Sequence, residues 1–193
     1  MTDEGDRRVL GWQPMMEKAA RLLAERTGED KAAWNGKVTR SGAATEGELR
    51  SWLSKNGVTG YAQDLLVYER YGYPDFMLTD PLELIDAQYA DRPDLRPVCD
   101  AVIDEALATG EVIVQARKTF VSLVAPRRTF GIIKPTTKTR VDLGLKLPGE
   151  KPGGRLLSAK SLSQGNVRVA LHSVDDVDDE LRTLLERGYE ANS

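Results

Sequence analysis

Cysteine and histidine are almost absent from this chain. Cys99 and His172 are the sole representatives in 193 residues. One cysteine excludes an internal disulfide, and one cysteine with one histidine cannot build a zinc site. Imidazole chemistry would have to run through His172, and thiol chemistry through Cys99. Long apolar runs are missing too: no stretch reaches the roughly 18 residues expected of a membrane span, and the N-terminus MTDEGDRR lacks an apolar signal region. A reducing cytoplasm is the expected setting, with no membrane partner. Aromatic rings make up 6% of the chain and concentrate in its first 89 positions. Only Phe120 and Phe130 are available to the strands of the second half, too few for a single-strand RNA stacking platform.

What is present is a hydrophobic content of 40%, enough for an ordered core, and a segregated charge. The formal net charge is −3, yet residues 111 to 147 hold eight Lys or Arg against Glu111 and Asp142. Residues 173 to 193 hold Asp175, Asp176, Asp178, Asp179, Glu180, Glu186 and Glu190 against two Arg. There is no internal repeat.

The first half reads as helical. Pro14 suits the first turn of a helix carrying Met15, Ala19, Leu22 and Leu23 and stopping near Thr27-Gly28. Thr45 and Glu48 form a capping-box pair ahead of Leu49, Trp52 and Leu53, with Gly57 as a stop. A third helix is expected from about Gly60 to Tyr71. Gly72 to Arg92 reads as a packed connector, and the boundary between a helical domain (10–79) and a sheet domain (80–193) is placed near residue 80.

Asp94 and Pro97 announce a further helix, whose apolar residues Leu95, Val98, Cys99, Val102, Ile103, Ala106 and Leu107 keep helical spacing up to Gly110. Strands are expected around 111–116, 118–125, 129–134, 138–147 and 167–172, with turns at Pro126 and Pro135 and a long loop from 148 to 165. A closing helix is expected from Val174 to about Tyr189, with Val174, Val177, Leu181, Leu184 and Leu185 as its stripe. The fold class is therefore α+β: a helical domain followed by an antiparallel sheet flanked by helices. In the strand 138–147, Thr139, Val141, Leu143, Leu145 and Leu147 point one way, and Lys138, Arg140, Asp142, Gly144 and Lys146 the other. One face is expected to be core and the other free. If the neighbouring strands pair in register, Lys118, Arg168 and His172 join Arg140 and Lys146 on the free face.

Clustered Lys and Arg supply the electrostatic footprint for phosphate; the alternative is a solvated face that keeps the sheet soluble. Asn56-Gly57-Val58-Thr59-Gly60 has some likeness to a helix-hairpin-helix turn, but two residues separate its glycines, and a capped helix junction fits better. Gly144 to Lys151 fails as a phosphate loop, because Glu150 displaces the lysine and Pro152 the hydroxyl residue. Asp175 to Glu180 lacks calcium-loop spacing and suits the first turn of a helix, with Ser173 as cap. Cys99 falls in an apolar stripe and reads as structural.

The segments RKTFVSLVAPRRTFGIIKPTTKTRVDLGLKL, PGGRL and HSVDDVDDELRTLLERGYEA resemble an uncharacterised bacterial C-terminal domain with a KT-x-V strand and a DDVDDE helix. MMEKAARLLAERTGED with GELRSWLSKNGVTGYAQDLLVYE resembles a small helical domain of unknown function often found beside it. The likeness runs from about residue 12 to 190. It implies a cytoplasmic bacterial protein, a sheet with a helix on each side, and a distant similarity to small sheet domains of iron-chaperone type. It supplies no catalytic residues and no cofactor. Relatives joined to nuclease-like modules would favour a nucleic-acid setting, but no such module is present here.

These features point to a non-enzymatic binding protein whose basic face, formed by Lys118, Arg128, Lys138, Arg140, Lys146, Arg168 and His172, meets an anionic partner, nucleic acid first. A second reading is a small-molecule binder with a pocket between the halves lined by Trp12, Trp34, Trp52, Tyr61, Tyr68, Tyr71 and Tyr73, suited to a small aromatic ligand; the same rings could equally be core. A third is an enzyme using His172 with nearby carboxylates.

Overall fold

Helix capping organises the N-terminal region. The computed structural model of the protein describes residues 9–159, 162 and 165–193; the leader reading of MTDEGDRR and part of the 148–165 loop fall outside them. Helix α1 (Gln13–Thr27) has Pro14 in its first turn and ends on Gly28 at φ +75°, whose N–H donates to Ala24 O. Only glycine takes that left-handed conformation without strain. Helix α3 (Glu46–Lys55) carries the expected reciprocal cap: Glu48 N donates to Thr45 Oγ1 (3.3 Å), and Thr45 N to Glu48 Oε2 (3.2 Å). Helix α4 spans Tyr61–Tyr71.

Between α1 and α3 lies a helix the sequence pattern does not announce, α2 (Lys31–Arg40), capped by the Asp30 carboxylate on Ala33 N. Its buried stripe is reduced to Trp34 and Val38, too short to show a period. Leu23, Trp34, Val38, Leu49, Leu53, Val58, Ala62, Leu66 and Val67 form the core. Trp34, 4% exposed, donates its indole N–H to Thr27 Oγ1 (2.8 Å), and that hydroxyl donates to Leu23 O (2.7 Å). The expected connector is also helical in part, with α5 (Asp75–Leu78) and α6 (Pro81–Tyr89). Asp80 caps α6 on Leu82 N and Glu83 N. Trp12–Leu78 form one compact unit; 9–11 and 79–193 form a second.

In the second unit a 3-10 turn (Pro93–Leu95) leads into α7 (Arg96–Ala108). Among the described residues the sheet has seven strands in the order β1-β2-β3-β4-β5-β7-β6: β1 (Val9–Leu10), β2 (Ile113–Ala116), β3 (Val121–Val124), β4 (Thr129–Thr137), β5 (Arg140–Leu145), β6 (Leu157–Ser158) and β7 (Val167–Leu171). All neighbours are antiparallel except β1, which runs parallel to β2. Residues β1 and β6 are two-residue edge strands, whose pairing is decided by distant partners and not by local alternation.

Several strand limits differ from expectation: β3 starts at Val121 and not at residue 118, so Lys118 precedes it, and β5 ends at Leu145 and not at residue 147. Pro135 does not turn the chain: β4 runs through it to Thr137 with a bulge between Pro135 and Thr137, which is where a sheet tolerates a residue lacking an N–H. The hairpin turn is instead Lys138-Thr139, so Lys138 is not a strand residue. The closing helix α8 spans Asp179–Glu190, capped by Asp178 on Leu181 N. Val174 lies in a separate 3-10 turn (Val174–Asp176) and is exposed.

Register sets the core. Val121, Ile133, Leu143 and Val169 stand in one row across β3, β4, β5 and β7, all fully buried. Helix α7 packs against α8, and Gly188 seats α8 on this side of the sheet, since a methyl group there would stand 3.1 Å from the Phe130 ring and 3.7 Å from Leu145. Helix α8 also packs on β4, and α6 packs on β1 and β2, so the antiparallel sheet is flanked by helices as expected.

The Trp34–Thr27–Leu23 bridge yields a stability prediction. Thr27→Val keeps the shape but leaves the buried indole N–H without its acceptor, which costs about 1–3 kcal/mol. A urea midpoint equal to wild type would show the bridge to be dispensable.

Candidate functional site

The second face of the sheet is not free. Asp142 pairs in register with Lys134 on β4 and Ala170 on β7, and Gly144 with Ile132 and Arg168. Asp142 is 0% exposed. Arg168 Nη1 donates to its Oδ1 at 2.7 Å, and Arg140 Nη2 to Oδ2 at 3.3 Å. Arg140 Nε is 3.1 Å from Oδ1 but is not aligned for a hydrogen bond. A buried carboxylate is tolerated only when paired and hydrogen-bonded, and β5 and β7 supply one guanidinium each. Arg168 also donates Nε to Ser158 O (3.1 Å), tying β6 to the cluster. The arginine side chains retain 28% and 17% of their exposure.

Gly144 keeps the face low. A Cβ there would meet Leu162 Cδ1 at 2.8 Å, and Leu162 is buried. Ser122 and Ile132 on the same row are buried as well. Alternation correctly separates the two sides of β5, but the side holding Arg140, Asp142 and Gly144 is a second buried layer.

The remaining basic residues divide between the ends of the hairpins. Lys118, exposed, lies between β2 and β3, and Lys138 between β4 and β5. His172 follows β7 at that same end, its Nδ1 donating to Thr139 O (2.8 Å) and its backbone N–H to Asp176 Oδ2 (2.6 Å). Arg128, exposed between β3 and β4, and half-buried Lys146 after β5 lie at the other end. Lys138 is ion-paired with Asp91, which also holds Arg92 at 2.6 Å. Arg92 in turn donates to Pro135 O (3.1 Å) and Thr137 O (3.0 Å). The Arg92 guanidinium, then the Lys138 ammonium, hold the Asp91 carboxyl well below the usual carboxylate range. Lys134, half-buried beside Asp142, has no ion-pair partner among the described residues. Lys134 falls in the expected strand 129–134 but is not among the residues expected on the basic face.

The other motifs resolve into structure. Around Gly57, the N–H groups of Asn56, Gly57 and Val58 bond to carbonyls of α3, and Gln63 Nε2 donates to Arg50 O and Val58 O. This is a capped junction. In the acidic run, Asp176 accepts from His172 N and Ser173 N, Asp178 caps α8 and pairs with Arg155 at 2.5 Å, and Asp179 pairs with Arg182. Among the described residues no group of three or more His, Cys, Asp or Glu could hold a metal, and no helix is long and apolar enough to cross a membrane. Phe130 is buried edge-on against Tyr189 (6.0 Å) and cannot stack on a base.

Of the aromatic residues, Trp34 is core, with Trp52 edge-on at 6.2 Å and Tyr68 packed alongside. Tyr61 and Tyr71 are exposed. Trp12 and Tyr73 both line a cleft of about 360 Å³ within the helical unit.

Asp142→Ala leaves two guanidiniums facing each other and is expected to cost about 3 kcal/mol, the low end for breaking a buried pair because both arginines reach water. Asp91→Asn, at the surface, serves as the control and should scarcely move the unfolding midpoint. A separate expectation concerns Cys99 in α7. Burial pushes its thiol up from about 9 to about 12, so above pH 9 the unfolded chain loses a proton that the native state keeps. The linked stability is complete below pH 9 and declines as pH rises towards 12. Cys99→Ala should flatten that alkaline decline, measured by denaturant unfolding at pH 8 and pH 10.5.

One family model matches, that of a domain of unknown function, DUF5655, over residues 85–192. That span takes in most of α6, all of α7, the strands from β2 to β7 and α8. No curated protein and no solved structure matches the chain. The cluster at Asp142 lies inside the matched residues and the helical unit lies outside them. Since the matched span is more than half of the sequence, the chain belongs to the DUF5655 family, whose function is unknown.

Proposed function

We propose that the protein is a non-catalytic binding protein in which the partly exposed arginines of the Asp142 cluster, on the second side of the sheet, engage an anionic partner, with nucleic acid as the partner class. The observation that carries this reading is the buried carboxylate of Asp142, which fixes Arg140 and Arg168 side by side while leaving each partly exposed. Two guanidiniums pair with one carboxylate, and Lys134 stands opposite Asp142 in the strand register, so these four residues together carry a net charge of +2. Guanidiniums already held in place lose little rotamer freedom on meeting a phosphate.

The footprint is small. Lys138 is engaged with Asp91, and Arg128 and Lys146 belong to the far end of the hairpins. Two or three phosphates are therefore the expected contact, through the backbone and with little sequence preference, because no exposed ring among the described residues of this face offers stacking. A cytoplasmic, bacterial setting accompanies the reading, supported by a single buried thiol and by the resemblance of the two segments.

The test is binding of the full chain to labelled duplex and single-stranded DNA across a salt series. For duplex DNA the slope of log K against log salt should be about −2 to −3, the value for two or three neutralised phosphates. Lys134→Ala leaves the Asp142 pairs intact, so it should fold normally and reduce the slope by about one. Salt-independent binding, or a slope unchanged in Lys134→Ala, would overturn the assignment of this face.

A further inference from the structure

The cleft in the helical unit has a chemistry opposite to that of the sheet face. Residue Trp12 and the first turns of α1 supply one wall, with Gln13, Met16 and Glu17; Tyr73 and the α5 residues Met77 and Leu78 supply the other. Its volume, about 360 Å³, lies at the lower end of small-ligand sites, which run from about 300 to 1,000 Å³. Leu78 is 71% exposed at the rim.

Both aromatic walls are held from behind. The Trp12 ring meets Phe76 edge-on, centroids 5.3 Å apart. Tyr73 tilts against Tyr68 at 5.8 Å and donates its hydroxyl to Glu69 Oε1 (2.6 Å), a carboxylate anchored by Lys31 at 2.9 Å. A phenol that donates to a carboxylate has a more electron-rich ring, and burial with Glu69 pushes this hydroxyl up to about 12, so the donor proton stays in place at neutral pH. The two thioethers, Met16 and Met77, are polarizable and adjust to the shape of a guest.

Charge selects the guest. Glu17 is the one charged residue among the described lining residues, it is exposed, and no described Lys or Arg pairs with it. Aromatic faces, thioethers and an uncompensated carboxylate without a lining cation are the features that bind an ammonium group with an apolar shell. We propose that this cleft is a binding site for an organic cation, a quaternary or alkylated ammonium compound.

The probe pair is choline and its uncharged carbon isostere, 3,3-dimethylbutanol, titrated into the full chain at fixed ionic strength and followed by the proton NMR signals of the three equivalent methyl groups. Choline should bind at least about tenfold more tightly than the isostere, with its methyl signal moved upfield by the Trp12 and Tyr73 rings. Glu17→Gln, at an exposed position, should fold as wild type and weaken choline about threefold to tenfold; Trp12→Leu should abolish the upfield shift. Equal binding of the two probes, absence of the shift at tens of millimolar choline, or unchanged affinity in Glu17→Gln would each overturn the proposal.

Discussion

The sheet unit depends on the carboxylate of Asp142. A charge with no exposure at the middle of β5 is sustainable only if cations reach it from both sides, and the cations come from β5 itself and from β7. This makes the register of β5 against β7 an electrostatic requirement as well as a hydrophobic one. A slip of one residue would carry Arg168 to the face of Val141, Leu143 and Leu145, and would turn Val167 and Val169 towards the charge. The same arginine holds Ser158 O, so the short edge strand β6 inherits its position from the cluster.

That constraint explains how far the sequence could be read. The alternation in β5 and the stripe of α7 were legible because each follows from one periodicity: Val98, Cys99, Val102, Ile103 and Ala106 are the buried residues of α7, and Val141, Leu143 and Leu145 are core. Alternation tells which residues share a side, and it is silent on what covers that side. Gly144 is the case in point. In the sequence it reads as a gap on a polar face; in the fold it is the seat of Leu162, eighteen residues away and supplied by the loop. The two-residue strands β1 and β6 carry too little pattern to be found without their partners.

Charge segregation was real in the sequence and misleading as a measure of free charge. Most guanidiniums of the sheet unit find carboxylates: Arg92 with Asp91, Arg96 with Asp86, Arg155 with Asp178, Arg182 with Glu105 and Arg187 with Glu150. These partners lie between 1 and 77 residues away in the chain, beyond what local counting resolves. The aromatic residues show a similar limit. Trp34 differs from Trp12 by burial, and Trp34 and Trp52 differ from it by neighbours, properties that composition does not encode, so core and cleft could not be separated before the fold was known.

The two candidate sites belong to different units and present opposite charges for related reasons. At the sheet face a carboxylate is buried and the cations around it stay partly exposed, so the outward character is positive. In the helical unit the anchoring ion pair, Lys31 with Glu69, lies behind the Tyr73 ring, while the carboxylate at the cleft, Glu17, carries no counter-ion among the described residues. In each case the charge that is neutralised internally serves to position a side chain, and the charge left over is the basis of the proposed guest. The family match covers residues 85–192, within the sheet unit, so the Asp142 cluster lies inside the matched domain and the cleft lies outside it, and the two proposed sites stand or fall separately.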